Sequence, residues 1–214
     1  MSGSFREWLH LGVSAYQMVN ISQELLVLLS DREFLLGKKR INRQLIRCLG
    51  EAETTIKKSI EEADFKFPPN AFTKAGKISK GESYRDLPYF VLDFPRLFTN
   101  EHVFAYRTMI RWGYEISCTL HLAGHHKIRF EEKIKAEKIR LAKDYICVHS
   151  SPWEHHFEPS NYRLIDELSE DEYKKQFTKP FLKISQAFPL SEVNMLPRHA
   201  SEVFKFYLNI MSGS

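Results

Sequence analysis

The stretch "YEISCTLHL", residues 114–122, decides the fold, because it alternates without a break. Tyr114, Ile116, Cys118, Leu120 and Leu122 fall on one side, and Glu115, Ser117, Thr119 and His121 on the other. A strand sends successive side chains to opposite faces, so this pattern predicts a strand whose apolar residues, Tyr114 included, turn to a core while its polar residues turn away. Upstream, "LPYFVLDFPRLF" (87–98) and "VFAYRTMIRWG" (103–113) carry the aromatic and β-branched residues that strands favour. An antiparallel sheet containing residues near 89–94, 103–111 and 114–122 is therefore expected, and "YICVH" (145–149) reads as a further short strand.

Outward from this centre the period changes. Phe5, Trp8, Leu9, Val13 and Tyr16 recur at helical spacing, and Ile21, Leu25, Leu28 and Leu29 continue it. Ser30 and Asp31 mark a restart. The helix that follows places Leu35, Ile41, Leu45, Ile46 and Leu49 on one side, carries Glu–Lys pairs at i, i+4, and is stopped at Pro68-Pro69. Residues 70–86 read as a long polar connection. "AGHHK" (123–127) reads as a tight turn, followed by a charged helix, "IRFEEKIKAEKIRLAK". Beyond Trp153 the expectation is helical again: Ser169 and Glu172 stand in capping-box relation, and Val203, Phe206, Tyr207 and Ile210 share a helix face. The class is α+β, a central antiparallel sheet flanked by N-terminal and C-terminal helices. One domain is expected over residues 1–214, helical over 5–66, sheet-rich over 84–160 and helical over 162–211.

Composition narrows the function classes. The 43% hydrophobic content supplies a core, and 31 Lys and Arg against 27 Asp and Glu leave a formal charge of only +4, short of a nucleic-acid signature. Cys48, Cys118 and Cys147 are an odd number at wide spacing among apolar neighbours, which fits a reducing compartment. No basic, apolar and small-residue leader is legible, and polar residues interrupt the apolar stretch from Trp8 to Leu29, so a cytoplasmic protein with no membrane partner is expected.

Six of the nine histidines, His121, His125, His126, His149, His155 and His156, fall in a short span in the second half of the chain. They are not expected to form a structural metal site. An HxxxH pair such as His121 and His125 needs a helix to share a face, neither cluster has a cysteine at ligand spacing, and neighbouring histidines on an extended chain point apart. No cofactor is expected. Two arginines carry a second constellation: Arg107 and Arg111 share a strand face with Val103, Ala105 and Met109, near Asp93, Arg96 and Glu115. They read first as a salt-bridge network. Their functional reading is a polar cleft for a carboxylate or phosphate, formed by Arg107, Arg111, His121 and His155 with Trp112 or Trp153 as an aromatic wall.

Two further motifs carry nothing. "GKISKGES" has glycines at phosphate-loop spacing, but Glu82 stands where the lysine is required. Lys39, Arg43 and Arg47 form a basic helical stripe without interleaved aromatics, which reads as a solvated face.

The runs "LPYFVLDFPRLF", "FAYRTMIRWG", "TLHLAGHH" and "PWEHHF" together resemble an uncharacterised bacterial protein family with no known activity, over residues 84–160. The resemblance implies a bacterial cytoplasmic origin and assigns no residue a role. Two readings of function follow from the residues. One is a protein that binds a small anionic ligand in a polar cleft over the sheet. The other is a structural or interaction protein acting through an apolar helical face or as a homodimer, with Trp8, Val13, Leu25, Leu28 and Leu29 as the face.

Overall fold

The computed structural model describes residues 20–213. They contain five α-helices and a seven-stranded antiparallel open sheet, 43% helix and 28% strand, an α+β architecture. The helices are α1 (Gln23–Ser30), α2 (Arg32–Glu62), α3 (His125–Ala136), α4 (Glu170–Gln176) and α5 (Leu196–Ser212). The strands are β1 (Lys77–Tyr84), β2 (Leu87–Phe98), β3 (Val103–Arg111), β4 (Glu115–Ala123), β5 (Tyr145–Cys147), β6 (Tyr162–Leu164) and β7 (Phe181–Pro189).

The chain divides into two compact units, one ending at Ile41 and the other running from Asn42. In the first, Ser22 caps α1 by accepting from the Leu25 N–H at 3.4 Å, and no residue of α1 is buried. Asp31 restarts the helix by accepting from the Phe34 N–H at 2.9 Å. The helical residues Phe5, Trp8, Leu9, Val13 and Tyr16 lie outside the described residues.

The sheet organises the second unit, in the order β1-β2-β3-β4-β7-β5-β6. Its core face is built by the even-numbered residues of the central strands. Phe90, Ile110 and Ile116 align across β2, β3 and β4; Tyr106, Leu120, Ile184 and Ile146 align across β3, β4, β7 and β5. All of them are buried with Leu45, Leu49, Ala52 and Ile56 of α2, Phe130 and Ile134 of α3, and Val203, Phe204, Tyr207 and Ile210 of α5. Burial of a Leu, Ile or Phe side chain is worth roughly 1.5–3 kcal/mol, so this face carries most of the apolar stabilisation.

The odd-numbered residues face the other way, and they too are covered. Residues 149–160, a strap with no regular strand or helix, cross this second face. β3 and β4 are consequently buried almost throughout, on both sides.

Several expectations are corrected. The "polar connection" of 70–86 contains β1, whose two-residue turn to β2 places Arg85 and Asp86 at φ 52° and 66°, the left-handed pair that a tight hairpin demands. The "helical" region 162–211 contains β6 and β7, and β7 pairs along the whole of β4. The buried stripe of α2 is Leu45, Leu49, Ala52, Ile56 and Ser59, while Ile41 and Ile46 are exposed. Tyr114 is exposed in the turn ahead of β4 and does not face the core. "AGHHK" is no free turn, because His125 and His126 begin α3. The Ser169–Glu172 capping box is present at α4.

Candidate functional site

The second face is a layer of polar side chains in register. One row runs Asp93, Arg107, Thr119, Ser185 across β2, β3, β4 and β7, and the next places His121 beside Lys183. Arg107 clamps Asp93 with both carboxylate oxygens engaged, Nε to Oδ1 at 2.7 Å and Nη2 to Oδ2 at 2.9 Å. Arg111 meets Glu115 at 3.2 Å. Thr119 and Ser185 share a hydroxyl hydrogen bond of 2.8 Å. The arginines thus have the carboxylate partners that their strand neighbourhood suggests.

The strap is fastened to this layer largely through its backbone. Lys183 Nζ donates to the carbonyls of Pro152 and Glu154, each at 2.7 Å, and Arg111 donates to the carbonyl of His155 at 3.4 Å. Tyr84 Oη accepts from the N–H groups of His155 (2.7 Å) and His156 (3.2 Å) and donates to Glu154 Oε2 (2.8 Å). Asn161 Nδ2 donates to the His156 carbonyl at 2.6 Å. Strap carbonyls and amides that no strand or helix supplies with partners are satisfied by these side chains.

Strap and sheet bring Arg107, Arg111, His121, Trp153 and His155 together. His155 Nε2 lies 3.0 Å from Arg107 Nη1. A guanidinium only donates, so Nε2 is the acceptor and the proton of the neutral ring sits on Nδ1. Trp153 meets the His121 ring edge-on, centroids 5.6 Å apart, and remains 54% exposed at the mouth of the cleft. Trp112 is not part of the cleft; it packs against the hydrophobic core. Under the strap is a cavity of about 240 Å³ lined by Ser79, Tyr84, Tyr89, Val91, Arg107, Met109, Trp153 and His155. Gly81 shapes one wall: a Cβ there would fall 2.3 Å from the Tyr89 ring, which lies across the glycine from the paired strand.

Burial sets the protonation states. His155 is pushed down to about 2 by burial first, then by Lys183, Arg107, His121 and Arg111. His121 is pushed down to about 3 by burial and by the same Lys183 and Arg107 cations. Burial lowers Lys183 to about 8, so it stays largely protonated at pH 7. Glu115 is raised by burial, against the pull of Arg111. Both imidazoles are neutral, Asp93 offsets Arg107, Glu115 offsets Arg111, and Lys183, held by carbonyl dipoles, also feels the Glu154 carboxylate of the strap.

His125, His126 and His102 gather at the start of α3, on another part of the unit. Among the described residues, no group of three His, Cys, Asp or Glu side chains is placed to hold a metal ion, and no helix is long and apolar enough to cross a membrane.

Tyr84, Tyr89 and Lys183 belong to the cleft and were not singled out in the sequence. For Lys183 the signal exists: "FLKISQAFP" alternates Phe181, Lys183, Ser185 and Ala187 against Leu182, Ile184, Gln186 and Phe188. Comparison of the chain with protein-family models, with curated proteins and with solved structures gave no significant match.

Proposed function

We propose that the cleft between strap and sheet binds a small anionic ligand with a flat body, a planar monocarboxylate being the simplest case. The observation that supports it is Arg107 at the wall of a cavity that aromatic rings otherwise enclose. A guanidinium has five N–H donors. Two are used on Asp93 and one on His155, which leaves two for a ligand carboxylate. Tyr84, Tyr89 and Trp153 offer ring faces and edges to the body, over a floor of Val91 and Met109. The volume, about 240 Å³, equals that of roughly eight waters, so the ligand is small.

Binding is favoured over acid–base catalysis, because a general acid or base works best with a pKa near the operating pH. His121 and His155 are held far below it.

The test is titration with benzoate and with its neutral analogue benzamide, followed by Trp153 fluorescence and by NMR. Benzoate should bind and benzamide should bind at least tenfold more weakly. Arg107→Gln should erase the difference. Ser79→Trp, which plugs the exposed rim without touching the polar network, should abolish both. Equal binding of the two probes, or benzoate binding that survives both variants, would overturn the reading.

A second reading rests on α1, where Leu25, Leu26, Val27, Leu28 and Leu29 are all exposed. It is an interaction protein, with this apolar helix facing a second copy of the chain. Sedimentation velocity should then show a dimer that Leu25→Asp with Leu28→Asp converts to a monomer; a monomeric parent protein would end this reading.

A further inference from the structure

Three histidine rings cluster edge-on and tilted where α3 begins. His102, in the turn between β2 and β3, lies 3.9 Å from His125, and His125 lies 3.9 Å from His126, centroid to centroid. Gly124 makes the approach possible: at φ 59°, a Cβ would fall 2.1 Å from His102 Nδ1 and 2.4 Å from the Glu101 carbonyl. Gly124 stands at the N-cap and has no side chain to cap the helix. The cap comes from across the fold, since the His125 N–H donates to His102 Nδ1 at 3.4 Å.

That bond exists only while Nδ1 is unprotonated. An imidazolium donates from both nitrogens and accepts at neither, so protonating His102 turns the cap into a donor facing a donor. The positive end of the helix dipole and two neighbouring imidazoles then oppose the new charge. His126 sharpens the effect. It is only 4% exposed, and neither of its ring nitrogens has a hydrogen-bond partner. Burial, His125, His102 and Arg129 together push it down to about 4. The rings border a cavity of about 120 Å³ under Pro68, Pro69 and Leu97, which offers no counter-charge.

The surrounding charges are few. On the turn, Glu101 stands 3.9 Å from His102 Nε2 and is exposed. On α3, Lys127 pairs with Glu131 and donates to the Phe177 carbonyl, and Arg129 donates to the Lys66 carbonyl. Glu101 stands at the outer ring nitrogen of His102, leaving Nδ1 facing the helix.

We propose that the His102–His125–His126 cluster is an acid-released latch, which holds the β2–β3 turn against the start of α3 at neutral pH and lets go on protonation. It is separate from the cleft and does not depend on what the cleft binds.

The test is amide hydrogen exchange on the full chain at pH 7.5 and pH 5.0, corrected for intrinsic rates. A histidine ring released to solvent is protonated over neutral by roughly 30-fold at pH 5.0. Protection of the Ile128 amide, which donates to the Gly124 carbonyl, should fall by up to that factor. The Tyr173 amide in α4, bonded to the Ser169 carbonyl, should keep its protection. His102→Asn, whose amide oxygen accepts at every pH, should hold Ile128 protected at both, and His126→Phe should reduce the fall. Unchanged protection of Ile128, an equal fall at Tyr173, or a fall retained in both variants would overturn the latch.

Discussion

The two faces of the sheet are both covered and are oppositely built. On one, Phe90, Ile110, Ile116, Leu120 and Ile184 meet helices and need nothing but shape. On the other, Asp93, Arg107, Thr119, His121, Lys183 and Ser185 meet a strap, and nearly every polar atom must find a partner. Apolar contacts are non-directional and tolerate many sequences; a buried polar layer is satisfied in one arrangement or is costly. The helix face therefore stabilises the fold, and the strap face fixes a geometry.

The contrast can be broken from the apolar side first. Leu120→Ala, in the centre of the helix face, should cost about 3 kcal/mol or more in urea unfolding. Lys183→Met should cost less, roughly 2 kcal/mol, and its damage should be local: the His155 and His156 amides should lose exchange protection while the helices keep theirs. Strap and helices losing protection together would show that the two faces unfold as one.

Acid sharpens the comparison further. His121, with its pKa lowered from 6.5 to about 3, adds stability that is fully present above pH 6.5 and is lost as pH falls towards 3. Each such group gives a slope of about 1.4 kcal/mol per pH unit. On the helix side, Asp144 works in the opposite sense. Burial raises it to about 6 against the hydrogen bonds from Tyr207 and Gln186, so its contribution improves as pH falls from 6 towards 3.8. His121→Gln should flatten the loss of stability between pH 6.5 and 5, and Asp144→Asn should steepen it, both read from unfolding midpoints. The smallest effect is expected for the Thr119–Ser185 pair. Thr119→Val or Ser185→Ala alone should cost about 1 kcal/mol and the double variant less than their sum, since no hydroxyl is then left facing an apolar neighbour.

The sequence made one face legible and hid the other. Ile116, Cys118, Leu120 and Leu122 announce a strand by alternating with Ser117, Thr119 and His121, and the alternation identifies the polar face without telling what covers it. The cover is an irregular segment, residues 149–160, whose position is set by long-range bonds from Lys183 and Tyr84 and by no local period. The pairing of Arg107 with Asp93 was readable because adjacent antiparallel strands bring them opposite one another. His102 was unreadable as a neighbour of His125, because that contact depends on a left-handed glycine and on α3 starting one residue later. β7 was missed between helical signals, although its own alternation is intact. β1 was missed because Lys77, Lys80 and Gly81 are the residues of a connection in most contexts.

Those same residues acquire another meaning once β1 is seen as the last strand of an open sheet. Among the described residues no strand lies beyond its outer backbone groups, and such an edge is how one folded chain becomes a template for the next. Exposed Lys77 and Lys80 put like charges on any second copy that tries to align, and the register shift between Gly81 and Tyr84 bends the strand out of line. What reads in the sequence as a polar connection is the edge strand of the sheet, and its lysines and its bend work against pairing through that margin.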